Sequence, residues 1–158
     1  MATKRSKSED TIAVNRRARF DYTIDETIEA GLVLRGTEVK SLRIGKASIA
    51  EAFATVRGNE AWLVQAHIAE YEFGNRANHD PTRQRKLLVH RREIIAMAKF
   101  TQEQGRTLVP MKLYWKDGRA KLLIGLGVGK ATHDKRHDIA KKDADRQIRR
   151  ALRDRQKH

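Results

Sequence analysis

The chain has no cysteine, which excludes disulfides, iron–sulfur clusters and thiolate zinc sites. It also has no long apolar run, whereas a membrane span needs about 18 such residues. Met1 to Asp10 is polar, without the apolar stretch of a secretory signal, so the expected compartment is the cytoplasm, with no membrane partner. Aromatics are few. All nine lie between Phe20 and Trp115, and both ends therefore lack the large apolar groups that build a core.

What the chain does have is positive charge: 34 Lys and Arg against 20 Asp and Glu, a formal +14. Residues 1–19 contribute +4 and residues 129–158 contribute +6, while the 109 residues between them contribute only +4. This division predicts a disordered basic lead-in over 1–14, one compact domain over 15–129, and a basic C-terminal tail over 130–158. Clustered cations imply a polyanionic partner, because each Lys or Arg that neutralises a phosphate releases condensed counterions.

Phe20, Tyr22 and Ile24 alternate with Asp21, Thr23 and Asp25, a period of two that predicts a half-buried strand running on towards Leu34, with Gly31 as a bend or bulge. Gly36 to Gly45 reads as a short helix with Thr37 as N-cap, burying Val39 and Leu42 and leaving Glu38, Lys40 and Arg43 to solvent. Phe53–Val56 and Ala61–Val64 flank a Gly-Asn turn; Thr107–Trp115 and Arg119–Ile124 flank Asp117-Gly118. Pro110 demotes the start of its strand to an edge or bulge. Between the hairpins lie a short strand at Leu87–Val89 and a helix over Arg91–Phe100 burying Ile94, Ile95 and Ala98. Thr101 and Gln104 read as a weak second capping box. The fold class expected is mainly β with small helices: an OB-like closed barrel, a frequent nucleic-acid platform. Beyond Gly129 the only large apolar residues are Ile139, Ile148 and Leu152, so the tail is expected to be disordered when free and helical on a partner.

Catalytic motifs fail on spacing. Gly125 to Lys130 has three residues between Gly125 and the Gly-Lys pair where a phosphate loop needs four, and Ala131 follows the lysine; the run reads as a flexible exit from the last strand. His133 and His137 stand one helical turn apart, but Lys135 and Arg136 between them disfavour a metal. Asp21, Asp25 and Glu29 share one strand parity yet spread along the strand by about 7 Å per two residues, too far to converge on a two-metal site. No metal, cofactor or catalytic residue is expected. Basic residues beside aromatics are the stronger signal: Arg16, Arg17 and Arg19 lead into Phe20 and Tyr22, and Lys112 shares a strand face with Tyr114. Such surfaces join phosphate neutralisation to base stacking, although core packing is an equal reading for either tyrosine.

Six ordered segments carry a resemblance: Asn15-Arg-Arg-Ala-Arg19, Glu29-Ala-Gly-Leu32, Gly36-Thr-Glu-Val-Lys-Ser-Leu-Arg43 with Gly45-Lys46, Asp80-Pro-Thr-Arg83 with Arg85-Lys-Leu-Leu88, Leu113-Tyr-Trp-Lys116, and Gly129-Lys-Ala-Thr-His-Asp-Lys-Arg136. Together they resemble the bacterial SsrA-binding protein family (small protein B), partner of transfer-messenger RNA. The resemblance implies an OB-like barrel that is not an enzyme. It implies binding to the tRNA-like domain of that RNA and its delivery to ribosomes stalled on messages without a stop codon. Glu29, Leu88 and His90, where some members have Asn, then correspond to residues gripping the tRNA-like domain. Asn15, Arg16, Arg17, Arg19, Tyr22, Lys40, Arg43, Arg83, Arg85, Lys86, Lys112 and Tyr114 complete the expected RNA face. Lys130, His133, Asp134, Lys135 and Arg136 match the segment that meets the decoding region of the small ribosomal subunit. The expected form is a monomer bound to RNA. A metal-dependent nucleic-acid-processing enzyme and a general RNA chaperone are the alternatives.

Overall fold

The structure, a computed structural model, describes residues 10–156; the first nine residues of the expected lead-in lie outside the described residues. The elements in order are β1 (Asp10–Val14), α1 (Ala18–Asp21), β2 (Tyr22–Leu32), α2 (Gly36–Arg43), β3 (Ala47–Ser48), β4 (Phe53–Arg57), β5 (Glu60–Val64) and β6 (His67–Ile68). After a 3-10 turn at Asn75–Ala77 come β7 (Arg85–Leu88), α3 (Arg91–Phe100), β8 (Arg106–Lys116), β9 (Arg119–Gly129) and α4 (Thr132–Gln156).

All pairings are antiparallel, and they return to their start: β8 pairs with β4, β4 with β5, β5 with β7, β7 with β2, β2 with β9, and β9 with β8. Six strands thus form a ring, with β4 covering β8 only near Leu108. β1 adds to β8 from outside, with Asp10 opposite Trp115 and Val14 opposite Lys112. The ordered fold therefore begins inside the segment expected to be a disordered lead-in. Ile12 and Ala13, brought to the core by a register shift in β1, dock where β8 still has an unpaired side, and Asn15 fixes the end by donating its amide to the Pro110 carbonyl at 3.1 Å.

The ring encloses Leu63, Leu87, Leu108, Leu113, Leu122 and Ile124, capped by Leu42 from α2 and Met97 from α3. Burying each such side chain contributes about 1.5–3 kcal/mol. α3 has the expected bounds, but Met97 is its buried residue while Ile95 faces solvent. Thr101 closes that helix, donating its hydroxyl to the Met97 and Ala98 carbonyls at 3.2 Å, rather than opening another.

Two bulges decide which face each residue takes. On β8 the register shifts between Pro110 and Lys112, so inward positions change from Leu108 to Leu113, even to odd, and Lys112 and Tyr114 face outward. Pro110 lies between the stretch paired with β4 and the stretch paired with β1, where a missing donor costs least. On β2 the shift falls between Ile24 and Glu26 and not at Gly31. Ile24 packs in an outer cluster and Ile28 in the main core, so Asp25 and Glu29 do not share a face. Phe20 and Asp21 belong to α1, not to the strand expected from their alternation.

The Gly125–Gly129 run is strand, paired throughout with β2 and β8, and not a flexible exit. Its glycines serve the outer cluster of Ala18, Val109 and Met111 with Tyr22, Ile24 and Leu123. A Cβ on Gly125 would lie 2.7 Å from Met111 Sδ, and one on Gly127 2.9 Å from Val109 Cγ2. α4 is a 25-residue helix where a disordered free tail was expected. Its Ala, Arg, Lys and Gln content is intrinsically helical, and its length exceeds the roughly 12–15 residues at which isolated helices become marginal. No described helix is long and apolar enough to cross a membrane.

Candidate nucleic-acid interface

α2 is held by charges that the sequence places on its solvent side. Glu38 is fully buried; it accepts the Arg35 backbone N–H at 2.9 Å and the guanidinium groups of Arg83 and Arg85. Arg85 is equally buried and donates also to the carbonyls of Ala66 at 2.7 Å and Pro81 at 3.0 Å. Thr37 is not the N-cap, which is Arg35; its hydroxyl meets His79 Nδ1 at 2.9 Å, and His79 Nε2 meets the Ile68 carbonyl at 2.8 Å. Burial would raise the Glu38 pKa, but the Arg35 N–H and the two guanidinium groups outweigh it and hold the carboxyl below its ordinary value. Arg85 is thus an internal tie rather than a surface contact, and Arg83 is largely committed to the same carboxylate.

On the outer wall, one groove collects several expected residues: Glu29, Lys86, Leu88 and His90, with Ile94 and Lys121. Gly31 joins two of its walls. It stands between Leu88 on β7 and Lys121 on β9, and a Cβ there would lie 3.3 Å from Leu88 Cβ. Leu88 is 54% exposed beside this gap. His90 begins α3, its backbone N–H donating to Glu93 Oε1 at 3.1 Å. Lys86 pairs with Glu60 at 3.1 Å. Lys121 lies opposite Tyr114 across the β8–β9 hairpin; it was not singled out from sequence because only cross-strand register brings it here, as it brings Lys116.

Glu29 receives the Tyr114 phenol and lies 3.2 Å from the Lys116 ammonium. The Tyr114 hydrogen bond is the main cause that holds its carboxyl below the ordinary value, with Lys116 and Lys121 adding to it against partial desolvation. Tyr114 is only 3% exposed, so it is no stacking surface. Lys112 Nζ sits 5.2 Å from its ring centroid.

A second cationic group surrounds α1. Arg16 and Arg19 are exposed, Arg17 reaches Asp21 at 3.5 Å and lies over Phe20, and Tyr22 is half-buried in the outer cluster. The start of α4 is fastened here. The Lys130 N–H donates to the Asp21 carbonyl and its ammonium to the Arg19 carbonyl, both at 2.9 Å, and the ammonium also pairs with Asp138. Lys135 meets Asp21 at 3.2 Å and the Phe20 ring at 5.8 Å. Lys130 and Lys135 therefore hold the tail to the ring, while Arg136 is exposed. The side chains of His133 and Asp134 lie outside the described residues. Lys40 and Arg43 are exposed on α2, Lys40 5.3 Å from the Tyr71 ring.

An aromatic-poor ring of antiparallel strands, a groove with a fixed carboxylate among lysines, and a cationic helix on a short joint form one pattern, and comparison with known proteins identifies it. The family model described as SmpB protein matches residues 12–154. The chain belongs to that family. The SsrA-binding protein of Anoxybacillus flavithermus is 58% identical over 146 residues, covering 92% of this chain and 95% of the relative. That of Thermobifida fusca is 57% identical over 143 residues, covering 90% and 89%. A solved structure described as "tmRNA-SmpB: a journey to the center of the bacterial ribosome" superposes with a TM-score of 0.64 at 49% identity, covering 75% of this chain and 84% of that one.

Proposed function

We propose that the chain is an RNA-binding adaptor of trans-translation. It binds the tRNA-like domain of transfer-messenger RNA and carries that RNA to stalled ribosomes, where unfinished proteins are tagged and the ribosome is freed. Membership of the SmpB family over residues 12–154 carries this reading, and the six-strand ring is read as an OB-like barrel.

The chemistry supports binding rather than turnover. Asp21 is engaged by Lys135 and Arg17, and Glu29 by Tyr114 and Lys116, so the acids that a metal-dependent nuclease would use are occupied on separate faces. In the groove, Glu29 accepts from a base amine or 2′-hydroxyl, Leu88 packs on a base or ribose, and Lys86 and Lys121 meet phosphates. His90 supplies a further hydrogen-bonding side chain at the groove's edge. The exposed arginines around α1 extend the phosphate-binding surface, and α4 meets ribosomal RNA through Arg136 and the cations beyond it. The protein works as a cytoplasmic monomer on its RNA.

Sequencing the RNA that copurifies with the protein tests the reading. One dominant RNA with tRNA-like ends is expected; a broad mixture of cellular RNA would instead mark a general chaperone.

A further inference from the structure

Tyr114 was expected to touch RNA, and its burial removes it from any surface. Its phenol nevertheless donates to a carboxylate that lines the groove, Glu29, whose side chain stays about a third exposed. Lys116 closes on the same carboxylate from beside the β8–β9 turn, at 3.2 and 3.3 Å from its two oxygens. We propose that Tyr114 is a positioning residue for RNA recognition: it locks the Glu29 carboxylate in one orientation, ionised, with its remaining acceptor capacity turned to the groove beside Leu88, His90 and Lys121. This rests on the reading of the groove as the site for the tRNA-like domain.

Three observations carry it. The bulge after Pro110 is what turns Tyr114 outward beneath Glu29, so an irregularity in β8 is coupled to the orientation of one side chain on β2. Glu29 is paired with Leu123 of β9, two residues before the Gly31–Leu88 pair that joins β2 to β7, so its backbone is held by the sheet and its rotamer is left to specify. An unheld glutamate at that exposure samples several rotamers, and ordering it on binding costs affinity; a donor from below removes that cost beforehand. The phenol, as a neutral donor, fixes direction without cancelling the charge, which leaves the carboxylate a strong acceptor.

The charged and titratable groups around Glu29 are Tyr114 and Lys116 on β8, Lys121 on β9, Lys86 on β7, Glu60 on β5, and His90 and Glu93 at the start of α3. The Tyr114 hydrogen bond is the leading cause of the lowered Glu29 pKa. Removing the hydroxyl therefore moves that pKa upward, and protonation, which turns an acceptor into a donor, reaches Glu29 at higher pH.

The test measures binding of full-length protein to a transcript of the tRNA-like domain from pH 3.5 to 8, for wild type, Tyr114→Phe, Glu29→Gln and the double variant. Using one RNA throughout cancels titration of the bases. Tyr114→Phe is expected to weaken binding about 5- to 20-fold at pH 7, with the acidic loss of binding shifted to higher pH and little change in melting temperature. In the Glu29→Gln background the same substitution is expected to have no further effect. Equal losses from Tyr114→Phe in both backgrounds, or an unshifted pH profile, would overturn the positioning role while leaving the groove intact. Unchanged binding by Glu29→Gln would instead overturn the groove assignment itself.

Discussion

Two regions of this molecule are rich in charge and use it in opposite ways. Around α2, Glu38 and Arg85 are wholly buried and engaged with each other, and Arg83 reaches the same carboxylate from a partly exposed position. Along α4 the charges face water: Ile139, Ile148 and Leu152 are themselves about half exposed, and described ties to the ring gather near its first turns. In the first region charge specifies which segment packs on which, because a buried carboxylate without its partners is prohibitive. In the second, past the first turns, no described ion pair ties it to the ring. The same residue types thus act as structure in one place and as an open surface for a polyanion in the other.

The largest expected effect comes from breaking the buried set. Glu38→Ala leaves the Arg85 guanidinium buried without its partner, and a loss of about 3–5 kcal/mol is expected from the denaturant midpoint. A loss below about 1 kcal/mol would place these charges in the same class as those of α4.

Acid provides a second contrast. The Glu38 pKa is lowered in the folded protein, first against burial and then by its donors. Its contribution to stability is therefore complete above the ordinary carboxylate range and is lost as pH falls through the lowered folded value. The acid limb of a thermal-denaturation series should be shallower in Glu38→Gln than in wild type.

At the small end, Asp21→Ala removes the carboxylate that Lys135 and Arg17 share. Exposed pairs contribute about 0.2–1 kcal/mol, so ring stability should hardly move, while hydrogen exchange at residues 132–138 quickens. Salt should mimic this at the tail joint, since at 1 M the screening length is about 3 Å, and should leave the Glu38 set unaffected.

Local signals were legible in the sequence. Asp117-Gly118 and Gly58-Asn59 both adopt the positive φ angles that their hairpins require, and α3 spans the expected Arg91–Phe100. Long-range relations were not. Glu38 looks like a solvated helix charge because its partners lie 45 and 47 residues further on. Alternation placed Lys112 and Tyr114 together, yet the bulge that decides their face leaves no period to read. The groove was half visible: resemblance supplied Glu29, Leu88 and His90, whereas Lys121 and Lys116 join them only through the β8–β9 register. The helix of the tail is expected only on a partner, because three large apolar residues build no buried face, although its composition alone favours helix.

The division between ring and tail is tested most directly by deleting residues 130–158 and measuring two things on the same protein: affinity for the isolated tRNA-like RNA, and peptide tagging on stalled ribosomes. Affinity within a few-fold of wild type, with tagging abolished, is the expected result. Loss of RNA affinity in parallel with tagging would contradict it.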